Sequence, residues 1–114
     1  MTITPELAQE LVRYDRTILR EIRKAAPETW TRIAVRVEAI WLEEDEVALS
    51  IAITNADQPD ERPADSTMMI RALYTGFAEL FHERGLPMHG LEAVAWQDGD
   101  AWRYRYELLN APGA

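Results

Sequence analysis

Two stretches of the chain repeat apolar side chains every three or four positions, which is the pattern of an amphipathic helix. The first begins at Thr4-Pro5, because a threonine hydroxyl caps free backbone N–H groups and proline tolerates the first helical position. Pro27 disfavours helical geometry at the residue before it, so this helix is predicted to end near Ala25. Its apolar face comprises Leu7, Leu11, Tyr14, Ile18, Ile22 and Ala25.

The second helical stretch follows a polar segment, and either Asp65 or Ser66 is its predicted N-cap. Gly85 suits a left-handed C-terminal cap, Leu86 supplies the hydrophobic contact that accompanies such caps, and Pro87 prevents extension. Both helices need an apolar surface to pack against. The predicted stripe of the second comprises Met69, Leu73, Phe77, Leu80 and Phe81, widened by Ile70 and Tyr74.

After each helix the apolar pattern changes to every second residue, which predicts half-buried β-strands. The first pair of strands spans 30–41 and 47–54, with an acidic turn between them. The second pair spans 91–96 and 102–108, joined by the tight-turn signal Asp98-Gly99. Each helix is thus followed by a β-hairpin.

The order αββαββ favours an α+β fold, because hairpins need only short turns whereas parallel strands need long crossovers. We predict a four-stranded, mainly antiparallel sheet with both helices packed on one face. One domain is expected over residues 1–114, with an ordered core at about 4–109, a mobile acidic loop at 55–65 and a frayed tail at 110–114. The other face of the sheet is predicted to stay partly exposed and to carry Arg32, Arg36, Glu38, Arg103, Arg105 and Glu107.

Charge and composition narrow the classes of partner. Lys and Arg total 12 against 20 Asp and Glu, so the net charge is −8 and the surface repels nucleic-acid phosphates and anionic lipids. Direct binding to nucleic acid or to a membrane is therefore not expected, whereas a basic protein is attracted. The chain has no cysteine, and its beginning lacks the basic and apolar segments of a signal peptide, so we expect a cytoplasmic protein.

The sequence lacks the spacings that mark catalytic or metal-binding residues. Its two histidines, His82 and His89, form no zinc motif, and its glycines are too dispersed for a phosphate-binding loop. Ser50 and Ser66 lie outside the Gly-x-Ser-x-Gly pattern of hydrolases. We therefore expect no catalytic residue, no metal ion and no cofactor.

Acidic clusters and tryptophans are the unusual features that remain. The acidic residues gather in predicted turns and loops, an arrangement that suits docking onto a basic cleft and is also typical of solvated turns. Trp41, Trp96 and Trp102 fall beside predicted turns, where cross-strand aromatic pairs would stabilise the sheet. Trp41 and Trp96 are also candidate interface anchors. The candidate partner-binding residues are Glu43, Glu44, Asp45, Glu46, Asp57, Asp60, Glu61, Asp98, Asp100, Trp41 and Trp96.

The segment 26–40, in which Ala-Pro-Glu-Thr-Trp leads into a long alternating strand, resembles the YezG-like immunity proteins. Trp30 after Pro27-Glu28 is the sharpest element of the likeness, which continues through the second helix to the aromatic alternation at 102–107 and covers roughly residues 7–108. The resemblance implies an antitoxin that neutralises a cognate polymorphic toxin, often a nuclease, by tight non-covalent binding inside the producing cell. It implies no catalytic residue.

Two other functional classes stay open. An acidic secretion chaperone would hold an unfolded effector segment on an apolar surface, for which the second helix, from Met68 to Phe81, supplies enough apolar positions. An enzyme or small-molecule binder would use an aromatic pocket between helix and sheet, and no specific motif supports it. The sequence identifies neither the toxin nor the target of the toxin. It also does not determine the oligomeric state, and a homodimer is one of the states it allows.

Overall fold

Two consecutive αββ units build the protein in its computed structural model, which describes residues 4–43, 46–86 and 88–109. All four strands form one antiparallel sheet in the order β2-β1-β3-β4, and both helices pack on it, so the predicted α+β fold is confirmed. The predicted frayed tail, 110–114, lies outside the described residues. The elements are α1 (Pro5–Ala25), β1 (Arg32–Glu43), β2 (Glu46–Asn55), α2 (Met68–His82), β3 (Gly90–Asp98) and β4 (Ala101–Leu108).

Capping residues set the beginning of α1 and the end of α2 as predicted. Thr4 Oγ1 accepts a hydrogen bond from the N–H of Leu7 at 3.2 Å. Gly85 has a φ of 73°, which favours glycine, and the N–H of the following leucine donates to the carbonyl of Phe81 at 3.0 Å. Pro87, predicted to prevent extension, lies outside the described residues.

The beginning of α2 differs from the prediction. Thr67 is the N-cap, and its hydroxyl accepts from the N–H of Ile70 at 3.2 Å. The prediction of Asp65 or Ser66 is wrong, because the chain is still extended alongside β2 just before them. There the N–H of Ala64 donates to a β2 carbonyl at 2.9 Å.

The two hairpins meet along β1 and β3, which form the antiparallel centre of the sheet and leave β2 and β4 at its edges. β1 and β2 extend past β3, because β3 begins at Gly90 opposite Glu38 and β1 continues beyond that pair. We call the end of the sheet at the β1–β2 turn the hairpin end. The opposite end, where the segments 26–31, 56–67 and 98–101 lie, is the loop end.

One face of the sheet, the inner face, is covered by both helices. Burial of apolar surface there is the main favourable contribution to folding. The six charged residues predicted for the other face, from Arg32 to Glu107, are all exposed on this outer face, so that prediction is confirmed. The largest fully buried side chains are Trp30, Tyr74, Phe77, Leu7, Ile18, Ile22, Ile33, Ile53, Ile70, Leu91, Val35 and Val37.

The buried face of α2 is rotated relative to the predicted stripe. Met69 is 54% exposed, whereas Ile70, Tyr74 and Phe77 are fully buried. Met69 lies in the first turn of the helix, one residue before the position that faces the sheet, so its place in the stripe is a wrong prediction. The C-terminal half of the stripe is buried as predicted.

The loop after β2 is tied to the sheet by polar bonds. The sequence predicts Asn55 within this loop, but Asn55 is the last residue of β2 and is buried. Its Nδ2 donates to Glu61 Oε2 at 2.8 Å, and its Oδ1 accepts from the N–H of Asp57 at 3.1 Å. Because both ends of the amide are satisfied, the sheet tolerates this buried polar side chain.

The three tryptophans beside turns do not form cross-strand aromatic pairs, and that prediction is wrong. Trp41 instead stacks on His82 of α2, Trp102 lies against Arg23 of α1, and Trp96 lies against Arg105 of the neighbouring strand. The cross-strand partners are Val47 for Trp41, Gln97 for Trp102, and Arg32 and Arg103 for Trp96.

Candidate functional site

The predicted partner-binding residues lie at two opposite ends of the sheet. Trp41, Glu43 and Glu46 lie at the hairpin end, whereas the candidates from Asp57 to Asp100 lie at the loop end. β1 spans 12 residues, which at about 3.3 Å per residue places the two ends about 36 Å apart. One compact contact surface therefore cannot contain the whole predicted set.

Like charges face each other at the hairpin end. Glu43 lies opposite Glu46, after a register shift between Trp41 and Glu43 at the end of β1, and both side chains are exposed. Glu44 and Asp45, also predicted partner-binding residues, lie outside the described residues. Carboxylates directly opposite each other on paired strands are destabilising, and a positive charge on a partner would relieve that repulsion.

Two exposed apolar side chains near the end of β1 precede this acidic turn. Ile40 and Leu42 are each 62% exposed. Sequence reasoning missed them as functional candidates, although the strand alternation places Ile40 on the exposed face. Two large apolar residues at consecutive outward positions are the signal that identifies them. Exposed apolar groups rimmed by charge mark protein interaction sites more often than isolated exposed residues do.

Trp41 supports this hairpin from the inner face, where it is half-buried. Its Nε1–H donates to the carbonyl of Met88 at 2.9 Å. Its ring stacks on that of His82, with centroids 4.4 Å apart and an interplanar angle of 22°. These contacts fix the hairpin against the end of α2, so a partner meets only part of the indole.

Three segments meet at the loop end, and Thr31 lies between two of them. Its carbonyl accepts from the N–H of Gln97 at 2.9 Å, and its hydroxyl donates to Asp57 Oδ2 at 3.5 Å. Asp57 and Asp98 consequently flank the beginning of β1. The structure thus brings together five of the predicted acidic residues, which are far apart in the sequence.

Three of these five carboxylates bond within the chain. Asp57 accepts a hydrogen bond from the Thr31 hydroxyl, and Glu61 accepts one from the buried side-chain amide of Asn55. Asp98 forms an ion pair with Arg103 of β4 at 2.6 Å. Asp60 and Asp100 are exposed in the same loop and turn. The negative charge at the loop end is therefore partly neutralised by the protein itself.

Trp96 lies on the outer face among positive charges. The guanidinium of Arg105 stands 5.6 Å from the centre of its ring, and Arg32 and Arg103 are its neighbours on the adjoining strands. Trp96 and Trp41 are therefore on opposite faces and at opposite ends of the sheet. They cannot anchor one compact partner together.

A buried polar cluster that sequence reasoning also missed lies between α1, α2 and β4. The hydroxyls of Tyr74 and Tyr104 are 3.0 Å apart. Burial raises the pKa of Asp15 to about 6, and its Oδ1 has no hydrogen-bond partner in the described part of the chain. Burial also raises the pKa of both tyrosines far above the ordinary value and that of Tyr106 to about 12, with the charge of Asp15 adding to each shift. The hydroxyls are therefore neutral, and they act as hydrogen-bonded packing.

Within the ranges 4–43, 46–86 and 88–109, no group of three His, Asp or Glu side chains is arranged to hold a metal ion. In those ranges neither helix combines the length and hydrophobicity that crossing a membrane requires.

Comparison of the sequence with protein-family models gives no match, and comparison with curated proteins gives none either. The resemblance to the YezG-like immunity proteins stays a prediction.

Proposed function

We propose that this chain is an immunity protein, an antitoxin that binds and neutralises a cognate toxin domain through its hairpin end. The observation that carries the proposal is the exposure of Ile40 and Leu42, 62% each, beside Glu43 and Glu46. An apolar centre with an acidic rim is complementary to a partner surface that is apolar and basic. The substrate cleft of a nuclease has that character, because it must attract nucleic-acid phosphates.

Charge favours the hairpin end over the loop end. The chain carries a net charge of −8, so a basic partner is attracted at long range wherever it finally binds. At short range, Asp57, Glu61 and Asp98 already bond within the chain. Glu43 and Glu46 instead face each other, and a cation between them would lower their mutual repulsion. The carboxylates that stand in for phosphates are therefore those of the hairpin end.

Protection of growing cells is the experiment that tests this function. A protein captured from the native lysate by the tagged chain is expressed alone, where it should inhibit growth, and then together with the chain, where growth should recover. Leu42→Ser should abolish recovery and weaken binding about tenfold or more, because central apolar contacts dominate interface energies. Val12→Ser is the matched control, since Val12 is an apolar side chain 47% exposed on α1, outside the β1–β2 hairpin. A captured protein that is not toxic, or equal behaviour of the two variants, contradicts the proposal.

Association kinetics test the electrostatic part separately. The double variant Glu43→Gln with Glu46→Gln should slow association at low salt and leave dissociation nearly unchanged, because rim charges act mainly on the encounter rate. Adding salt should slow the wild-type protein until the two rates converge. Equal association rates at low salt contradict a role for these carboxylates.

The secretion-chaperone alternative receives less support from the distribution of apolar surface. The exposed large apolar side chains of α2 are Met68 and Met69 in its first turn, whereas most of the helix's apolar side chains are buried. A chaperone needs a continuous apolar surface for an extended segment. Binding of a heat-denatured partner as tightly as the folded one would favour this alternative over the antitoxin.

A further inference from the structure

A cleft of about 700 Å³ lies beside α1 at the loop end, on the side of the sheet that the helices cover. Its walls are the C-terminal half of α1, the turn from Ala26 to Trp30, and the tip of the β3–β4 hairpin. This volume lies within the range of about 300–1,000 Å³ that is usual for small-molecule sites. The hairpin end, which carries the proposed function, is at the other end of the sheet.

The cleft is positively charged on a protein that is strongly negative. Four cations line it, Arg16, Arg20, Arg23 and Lys24, and one carboxylate, Glu28. Residues 13–28 contain five basic and three acidic side chains, a net charge of +2, which leaves −10 on the rest of the chain. The charge asymmetry is therefore a property of this segment and not of the whole surface.

Arg16, Arg20 and Arg23 share one side of α1 at spacings of three, four and seven residues, and Lys24 follows Arg20 by four. Like charges three or four residues apart destabilise a helix. The carboxylate of Glu21 offsets part of this repulsion, because it bonds Arg20 at 3.3 Å and Lys24 at 3.2 Å. Arg16 and Arg23 line the cleft beyond that carboxylate, where a bound anion would offset their charges.

Two indoles complete the site. The guanidinium of Arg23 lies 4.8 Å from the centre of the Trp102 ring, so a cation and a half-buried aromatic face stand together at the cleft. Trp30 also lines the cleft and is 2% exposed, and its Nε1–H has no hydrogen-bond partner among the residues described. A buried N–H donor without an acceptor is uncommon in folded proteins, and this one is shielded from solvent at the wall of the cleft, where a bound ligand would change its surroundings.

We propose that this cleft binds a nucleotide-like small molecule, an organic phosphate that carries a planar ring. Guanidinium groups bind phosphate oxygens through paired hydrogen bonds, which suits Arg16 and Arg23, and a planar ring stacks on indole and guanidinium faces. A nucleic-acid polymer does not fit, because it would extend from the cleft over the negative remainder of the surface. The ligand is therefore of limited size, with its charge concentrated at one end.

Calorimetric titration of the full-length protein with ATP, tripolyphosphate and adenosine at low salt tests this site. ATP should bind more tightly than tripolyphosphate, which lacks the ring, and than adenosine, which lacks the charge. Arg23→Gln should weaken ATP binding about tenfold, since it removes both a phosphate ligand and the stacked cation. Arg13→Gln removes the same charge from the same helix but lies on the groove towards α2, so its effect should stay within about twofold.

Nuclear magnetic resonance measures a local change, the chemical shift of an indole N–H, that non-specific electrostatic attraction of ATP to the protein does not alter. The indole N–H signal of Trp30 should shift on addition of ATP, whereas that of Trp41, bonded to Met88 at the hairpin end, should not. Equal binding of tripolyphosphate and ATP, equal effects of the two arginine variants, or an unmoved Trp30 signal at saturating ATP would overturn the proposal. None of these results depends on a toxin partner, so the site and the antitoxin proposal fail or stand separately.

Discussion

Replacement of Asp15 by asparagine should stabilise the protein at neutral pH. The carboxyl lies half-buried between α1 and the tyrosines Tyr74, Tyr104 and Tyr106, and its Oδ1 has no hydrogen-bond partner among the residues described. Burial raises the pKa of Asp15 from an ordinary 3.8 to about 6, because the low-dielectric surroundings disfavour the charged form. Above that pH the folded protein holds a poorly solvated charge, which the asparagine variant does not.

The direction and the magnitude of this effect on the free energy of unfolding follow from the pKa of Asp15 in the unfolded and the folded state. Between pH 3.8 and about 6 the folded state binds more protons at Asp15 than the unfolded state, so the free energy of unfolding falls as pH rises through that window. The full shift corresponds to about 3 kcal/mol, and since the side chain is partly solvated we expect about 1–2 kcal/mol. Asp15→Asn should therefore raise the melting temperature by about 5 °C at pH 7.5. The gain should be much smaller at pH 4 and approach zero well below pH 3.8, where the carboxyl is protonated in both states.

Urea unfolding followed by tryptophan fluorescence at pH 7.5, 6, 5 and 4 measures this dependence. Asp60→Asn is the matched control, because it removes the same formal charge from an exposed loop. The control corrects for the general effect of reducing a net charge of −8. A variant no more stable than the wild-type protein at pH 7.5, or a gain that does not change with pH, would refute the assignment of a buried, destabilising carboxylate.

Three further substitutions test packing at single positions. Gly76→Ala should destabilise the protein, because the added Cβ would lie 2.6 Å from the Tyr14 hydroxyl. In a Tyr14→Phe background the same change should stabilise α2 by about 1 kcal/mol. Urea unfolding of the wild-type protein, the two single variants and the double variant measures the interaction between the two positions, and additive effects would contradict the contact. Gly90→Ala should lower the free energy of unfolding by about 2 kcal/mol or more, because its Cβ would lie 2.5 Å from a backbone carbonyl of β1 that the sheet holds in place, and a loss below about 0.5 kcal/mol would contradict that geometry. Trp41→Phe should lower the free energy of unfolding by about 1 kcal/mol in the same assay, because the hydrogen bond to the Met88 carbonyl is lost. An unchanged free energy of unfolding would show that this bond does not stabilise the protein.

Local features of the fold are decided by the sequence. The caps at Thr4 and Gly85, the turn at Asp98-Gly99 and the alternation along β1 each depend on residues that are neighbours in the chain. Hydrogen bonds over three residues and a positive φ at glycine do not need the rest of the protein, so pattern reasoning predicts them. The α+β class followed from the same local signals, because two helices and two hairpins have few ways to bury their apolar faces.

Tertiary structure decided how these elements meet and what they leave exposed. Pairing of β1 with β3 sends the acidic turn after Glu43 to one end of the sheet and Asp57 and Asp98 to the other, a separation that no local signal contains. The same pairing leaves Ile40 and Leu42 beyond the reach of β3, with their side chains exposed.

Burial and clefts depend equally on tertiary packing. In the sequence Asp15 is one polar residue of an amphipathic helix, and its burial depends on α2 and β4, which enclose it in the fold. Trp30 and Trp102 lie beside the basic face of α1 only because the sheet brings them there. Side-chain character and local geometry are properties of short segments, which the sequence determines. Desolvation and the distances between charges depend on residues remote in the chain, and for that reason only the folded structure determines them.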